Sequence, residues 1–290
     1  MKKSILFISL FIQSSAFSNS PIDTKVIYGP DNRQDFYEIE RSELRRLADS
    51  TIALIPEKNL IPLRNGWTRI VGENYGKSNK LCSNEKFFEQ DSSAECSGVL
   101  VSPNIILTAG HCIKDEDACK LVRFVFNYSL KAKHDNASTV RSSDVYECEK
   151  ILYRKNNTPS PDFALIQLNK MVRGHDPVRW RSSGSLDVYD SIFLIGYPAG
   201  LPLKFASGAW VRKIKKRSFV ANLDAVFGNS GSPVYNEKTK LLEGILVSGE
   251  KDFERKKGEK CYSSKRCSES YCSGESVVKM SEILPHLPTN

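Results

Sequence analysis

From Thr51 onward the chain is a succession of short apolar runs: TIALI, GWTRIVG, SGVLV, NIILTA, LVRFVFNY, FALIQL, SIFLIGY, GAWVRKI, SFVANL, GILVSG and SVVKM. Most are rich in β-branched or aromatic residues, and Gly, Pro, Asn or Asp breaks the chain at close intervals between them. No long segment between them repeats its apolar residues at helical spacing. Such punctuation leaves no room for the crossover helices of a parallel sheet, so the strands must pair antiparallel. The pattern predicts an all-β sandwich or barrel. Two segments depart from it. RSELRRLADS (41–50) sets Leu44, Leu47 and Ala48 at helical spacing with Ser42 as N-cap, and KMSEILPHL near the end reads as a helix kept short by Pro285. No internal repeat is visible. With 290 residues the core can be that of one large domain or of two similar halves.

The first residues, MKKSILFISLFIQSSAFSNS, carry two lysines, a short apolar run and then small polar residues, with Ala16 and Ser18 where a signal peptidase inspects. This is the pattern of a cleavable signal peptide over residues 1–18, and it predicts a secreted or periplasmic protein. No apolar run is long enough to span a bilayer. The formal net charge is +8, of which Lys2 and Lys3 supply two. The basic stretches VRKIKKR (211–217) and ERKKGEK (254–260) lack interleaved stacking aromatics, so no nucleic-acid partner is expected. Eight cysteines in an exported chain predict disulfides. The cluster Cys261, Cys267, Cys272 has neither a CxxC pair nor a nearby His, which argues against zinc.

The stretch AVFGNSGSPVY (225–235) holds two serines and no charge. It is either a polar turn between strands or a nucleophile loop, since a Ser hydroxyl attacks only when a base activates it. The chain has four histidines, His111, His134, His175 and His286, and the last three lie in polar or Pro-bearing surroundings expected at the surface. His111 in LTAGHC emerges at the end of an apolar strand, and Cys96 to Cys112 is a spacing suited to tying two adjacent strands beneath it. Asp162 opens the apolar run PDFALIQL and is the candidate orienting acid. Asp144, in SSDVYEC, is its nearest rival.

CSGVLV with LTAGHC, then PDFALIQL, then GNSGSPV, in that order, resemble the three signatures of trypsin-like serine peptidases. The Asn before the serine and the upstream IGYP (195–198) are similar to the bacterial glutamyl-endopeptidase branch. The resemblance spans roughly residues 66–280. It implies two antiparallel six-stranded β-barrels, about 66–175 and 176–280, with the active site at their junction. It also implies a leader over 19–65, a tail over 281–290, a monomer acting on protein or peptide substrates, and no cofactor or metal. His111, Asp162 and Ser230 would be the triad, with Ser230 rather than Ser232 as nucleophile and the N–H groups of Gly228 and Ser230 as the oxyanion hole.

The chain also departs from the family pattern. Leu246 stands where glutamate-specific members place a histidine, Phe227 stands where they carry a small or hydroxyl residue, and Val226 and Tyr235 replace pocket cysteines of the digestive branch. Asp224, six positions before Ser230, matches the pocket acid of enzymes that cut after Arg or Lys, so that preference is expected ahead of glutamate. Two mature starts compete. Ile70 in TRIVGE resembles a zymogen activation site but meets the neutral Asn229 before the serine, so Val26 in KVIYGPDNR is favoured. A different function class, an inactive homologue that binds a partner through the cleft, has no need of all three triad residues.

Overall fold

The predicted runs become strands, ten of them within two six-stranded barrels, while GWTRIVG lies outside in a three-stranded sheet. The structure, a computed structural model, describes residues 26–156, 161–249, 252–268 and 272–287; the expected signal peptide lies outside them. The first barrel is formed by β1 (Thr51–Pro56), β2 (Cys96–Ser102), β3 (Ile105–Thr108), β4 (Val122–Val125), β5 (Val145–Asn156) and β6 (Asp162–Leu168), closed in the order β1-β2-β3-β6-β5-β4. The second comprises β7 (Ser191–Gly196), β8 (Lys204–Ile214), β9 (Ser218–Ala221), β10 (Pro233–Asn236), β11 (Leu242–Ser248) and β12 (Glu275–Lys279). Its order, β7-β8-β9-β12-β11-β10, repeats that of the first, with every barrel pairing antiparallel. The two halves thus share one topology although their sequences show no repeat.

Many of the runs read as continuous apolar segments because both faces of their strands are buried. In β1, Ile52 and Leu54 join Ile106, Phe124 and Ile166 inside the first barrel, while Ala53 and Ile55 face the layer between the barrels. In the second barrel Leu246 and Val277 pack inward with Val211 and Phe219. Ile245 and Val278 join the shared layer with Leu107, Leu165 and Phe193. This layer fixes how the two barrels meet, and therefore the geometry of the cleft between them.

Several expectations need correction. β1 lies upstream of position 66, yet it pairs with both β2 and β4 and closes the first barrel. Ile27–Tyr28 runs parallel to Arg266–Cys267, and Gln34–Asp35 pairs with β8. The buried ion pair Lys204–Asp35, at 2.6 Å, ties this segment to β8, and Arg33–Asp31, also at 2.6 Å, pairs buried charges within it. The chain from Val26 to position 65 is therefore part of the folded body. The first helix is Ser42–Asp49, with Arg41 rather than Ser42 at its N-cap position. His175 is not a surface group: its side chain is 5% exposed and its ring stacks on Phe126 at 4.2 Å.

All eight cysteines are paired: Cys96–Cys112, Cys119–Cys148, Cys267–Cys272 and Cys82–Cys261. The last bridge spans a separation of 179 residues and ties the loop ahead of β2 to the segment ahead of β12. Among the described residues, no helix is long and apolar enough to cross a membrane.

Candidate active site

Antiparallel pairing of β3 with β6 brings the end of one strand to the start of the other, with Thr108 opposite Ala164. His111 lies just past the end of β3 and Asp162 opens β6, so residues 51 positions apart meet. The backbone N–H of His111 donates to Asp162 Oδ1 at 3.0 Å, and His111 Nδ1 lies 2.6 Å from Asp162 Oδ2. Gly110 makes this approach possible, because a Cβ there would stand 2.0 Å from the Lys155 carbonyl and 2.9 Å from Asp162 Oδ1. From β5, Arg154 Nε donates to the carbonyls of Gly110 and Ile113 and braces the turn that carries the histidine.

Ser230 arrives from the second barrel on the loop between β9 and β10. Its carbonyl accepts from the Ser97 N–H at 2.8 Å and lies 3.7 Å from Cys112 Sγ, beside His111. Gly231 lets the loop approach: a Cβ there would fall 2.1 Å from the Ser97 carbonyl and 2.4 Å from Thr108 Oγ1. Ser232 is fully buried, and its hydroxyl donates to Asn229 Oδ1 at 3.1 Å, with Gly196 of IGYP leaving room for it. The two serines are thus separated by environment, and only Ser230 sits against the histidine turn.

Sequence reading missed Ser97, the residue that locks this loop. It is fully buried on β2; its hydroxyl donates to the Gly228 carbonyl at 2.9 Å and accepts from the Tyr197 N–H at 3.0 Å. The only signal was a hydroxyl in an apolar strand directly after Cys96. The preceding peptide is fixed too, since the Phe227 carbonyl accepts from the Ala199 N–H at 2.5 Å. In a trans peptide the N–H points opposite the carbonyl, so the Gly228 N–H faces away from Ala199. Gly228 has φ of 84°, a conformation that favours glycine.

The trypsin-like peptidase domain model matches residues 96–245, more than half of the chain and from the first cysteine of the bridged pair into β11. The chain belongs to the trypsin-like peptidase family. It is a hydrolase of the serine endopeptidase class. A solved Glu endopeptidase is similar in fold, with a TM-score of 0.53 at 17% identity over 90% of this chain and 97% of that one. A serine endoprotease from Yersinia pestis gives 0.51 at 13% identity, over 86% of this chain and 66% of that one.

Other expected residues of this peptidase lie elsewhere. The rival acid Asp144 accepts from Asn127 Nδ2 at 2.8 Å and lies 3.9 Å from His175, with neither oxygen bonded to His111. Leu246 is enclosed in the second barrel. Phe227 is partly exposed, its N–H donating to Asp252 Oδ1 and its ring standing edge-on to Phe253 at 6.2 Å. Asp224 differs most from expectation. It is 4% exposed, and its two oxygens accept from the N–H groups of Tyr28 at 2.7 Å and Asn32 at 3.4 Å. Its carboxylate serves the N-terminal segment, a contact that nothing local to ANLDAVFG predicts.

Burial pushes the Asp224 carboxyl up to about 7, against the lowering effect of the Tyr28 N–H. The folded state therefore holds this proton more tightly than the unfolded chain. Its contribution favours folding below the ordinary carboxylate range and is lost as pH rises from about 4 through about 7, by roughly 4 kcal/mol at most. Asp224→Asn keeps an acceptor for Tyr28 and removes the titration. Urea unfolding across this window is expected to show the variant gaining on the wild type as pH rises. A difference that stays constant with pH would contradict the buried acid.

Proposed function

We propose that this chain is an exported serine endopeptidase in which Ser230 is the nucleophile, His111 the general base and Asp162 the orienting acid. The observation that carries the reading is the double hold of Asp162 on His111, one oxygen on the backbone N–H and the other on Nδ1. That hold selects the tautomer with hydrogen on Nδ1 and leaves Nε2 as the basic nitrogen. Ser230 Oγ attacks the scissile carbonyl carbon while Nε2 takes its proton. The carbonyl oxygen becomes an oxyanion, received by the N–H groups of Gly228 and Ser230, a contribution of about 3 kcal/mol per donor in such sites. His111 then gives the proton to the leaving amine, and the peptide bond breaks to an acyl-enzyme. Water, activated by the same histidine, releases the acid and restores Ser230.

Four disulfides suit a protein working outside the reducing cytoplasm. Val26 is the mature start the packing supports. It is fully buried, and its carbonyl accepts from the Ala225 N–H at 3.2 Å. A start at Ile70 would instead detach β1, which closes the first barrel. Purified mature protein, sequenced from its N-terminus and incubated with casein, tests both parts. Casein cleavage by a chain beginning at Val26 is expected; an inert chain, or an active one beginning at Ile70, would overturn the corresponding part.

A further inference from the structure

Ser97 sits on β2 of the first barrel, yet it bonds to the loop that carries Ser230 in the second. Each of its polar groups is engaged. Its N–H donates to the Ser230 carbonyl at 2.8 Å, and its carbonyl accepts from Thr108 Oγ1 at 2.6 Å. Its hydroxyl donates to the Gly228 carbonyl and accepts from the Tyr197 N–H. That second bond roots the turn Pro198–Gly200, from which the Ala199 N–H reaches the Phe227 carbonyl. One hydroxyl thus closes a ring of bonds through Tyr197, Ala199, Phe227 and Gly228. Within this ring lies the Gly228 N–H, assigned above to the oxyanion, and it is restrained from both sides. The carbonyl before it bonds to Ala199, and the carbonyl after it bonds to Ser97. The restraint matters because glycine resists backbone rotation least, and Gly228 stands at φ of 84°. The fit is close: a Cβ on Gly228 would lie 2.6 Å from the Tyr197 carbonyl oxygen and 2.8 Å from the Gly200 nitrogen.

We infer that Ser97 is a positioning residue whose hydroxyl fixes the Gly228 N–H in the direction that receives the oxyanion. The inference rests on the serine-peptidase reading of this site. Ser97 is fully buried and touches no substrate, so it acts only through the loop. An oxyanion donor stabilises the transition state because it is already aimed when the charge develops. Without the hydroxyl, the Tyr197 N–H and the Gly228 carbonyl, both buried, lose their partner. Rotation about Gly228 is the least costly way for that carbonyl to find another, and it turns the neighbouring N–H off its aim. The interaction lost is one made chiefly in the transition state, so kcat falls while KM holds. β2 also pairs with β3, the strand that leads into His111. One strand pair of the first barrel therefore supports both the base and the oxyanion side of the cleft.

The test compares an N-acyl amino-acid ester with its thionoester, identical except that sulfur replaces the carbonyl oxygen. Sulfur is larger and accepts hydrogen bonds poorly, so the rate ratio reports how well the N–H groups are aimed. The wild type is expected to favour oxygen by at least about 10²-fold in kcat/KM, the scale of one such donor. Ser97→Ala is expected to lower ester kcat by roughly 10²-fold, hold KM within about threefold, and shrink the ratio about tenfold or more. Ser50→Ala is the control for stability. It removes a buried hydroxyl that donates to the Asp176 carbonyl at 2.7 Å, outside the loop. Its ratio should stay within about threefold of wild type. Absence of fluorophosphonate labelling in the folded wild type overturns the peptidase reading itself. In a labelled wild type, a ratio near one overturns the role of Ser97 alone. So does an unchanged ratio in folded Ser97→Ala, a loss confined to KM, or an equal fall in Ser50→Ala. If Ser97→Ala does not fold, a crystal structure of the labelled wild type decides. A phosphonyl oxygen on the Gly228 N–H, with the Ser97–Gly228 bond intact, supports the role; either contact without the other overturns it.

Discussion

Replacing Ser230 with alanine is expected to lower kcat by about 10⁴–10⁶-fold with little loss of stability. The two effects separate because the loop is held by backbone groups that alanine retains. The residue 230 carbonyl still accepts from Ser97, and Gly231 still donates to Leu246. Ser232 cannot replace the lost hydroxyl, being fully buried and bonded to Asn229 Oδ1. Ser232→Ala should therefore keep an activated Ser230, at the stability cost of one buried hydrogen bond, roughly 1 kcal/mol. Combining Ser230→Ala with His111→Ala should cost little beyond either change alone, because base and nucleophile act as a unit. Peptide hydrolysis followed alongside thermal melting reads both quantities. A Ser230→Ala protein that melts normally and turns over within tenfold of wild type would remove Ser230 from the chemistry.

Asp162→Asn should be the next most damaging change, at about 10⁴-fold in kcat, the loss seen when such an acid becomes an amide. The geometry gives the reason. Asp162 Oδ2 lies 2.6 Å from His111 Nδ1, and an amide nitrogen in that place donates hydrogen to Nδ1. The imidazole then carries its proton on Nε2, where the base is needed. The other oxygen can still accept from the His111 N–H, so the turn should keep its shape. The expected signature is a lost kcat with KM nearly unchanged. A loss below tenfold, or one confined to KM, would show that Asp162 does not set the tautomer.

How legible this molecule was in its sequence depended on the range of the interaction concerned. The apolar runs marked the barrel strands because each strand buries both faces, as in β1 with Ile52 and Leu54 on one side and Ala53 and Ile55 on the other. The candidate site was legible because Gly110, Gly228 and Gly231 are close-approach positions beside the residues they serve, so His111 and Ser230 stood inside recognisable local patterns. What escaped was set by partners distant in the chain. Thr51–Pro56 read as a strand, but nothing local showed that it pairs with both β2 and β4. Asp224 matched a pocket acid by its count from Ser230, yet Tyr28, 196 positions away, takes its carboxylate. Ser97 lies in an apolar run where a polar residue is read as incidental, and only the folded packing shows its bonds to Gly228 and Tyr197. His175 looked exposed among polar residues, yet it stacks on Phe126.

Activation of Ser230 in this cleft is tested by a neutral fluorophosphonate followed by peptide mapping. Only an activated hydroxyl reacts at an appreciable rate, so the label reports nucleophile and base together without any assumption about substrate. The predicted result is a single modification on the peptide containing AVFGNSGSPVY, located at Ser230, absent in Ser230→Ala and strongly slowed in His111→Ala. Modification at Ser232, or no modification of folded protein beginning at Val26, would contradict it.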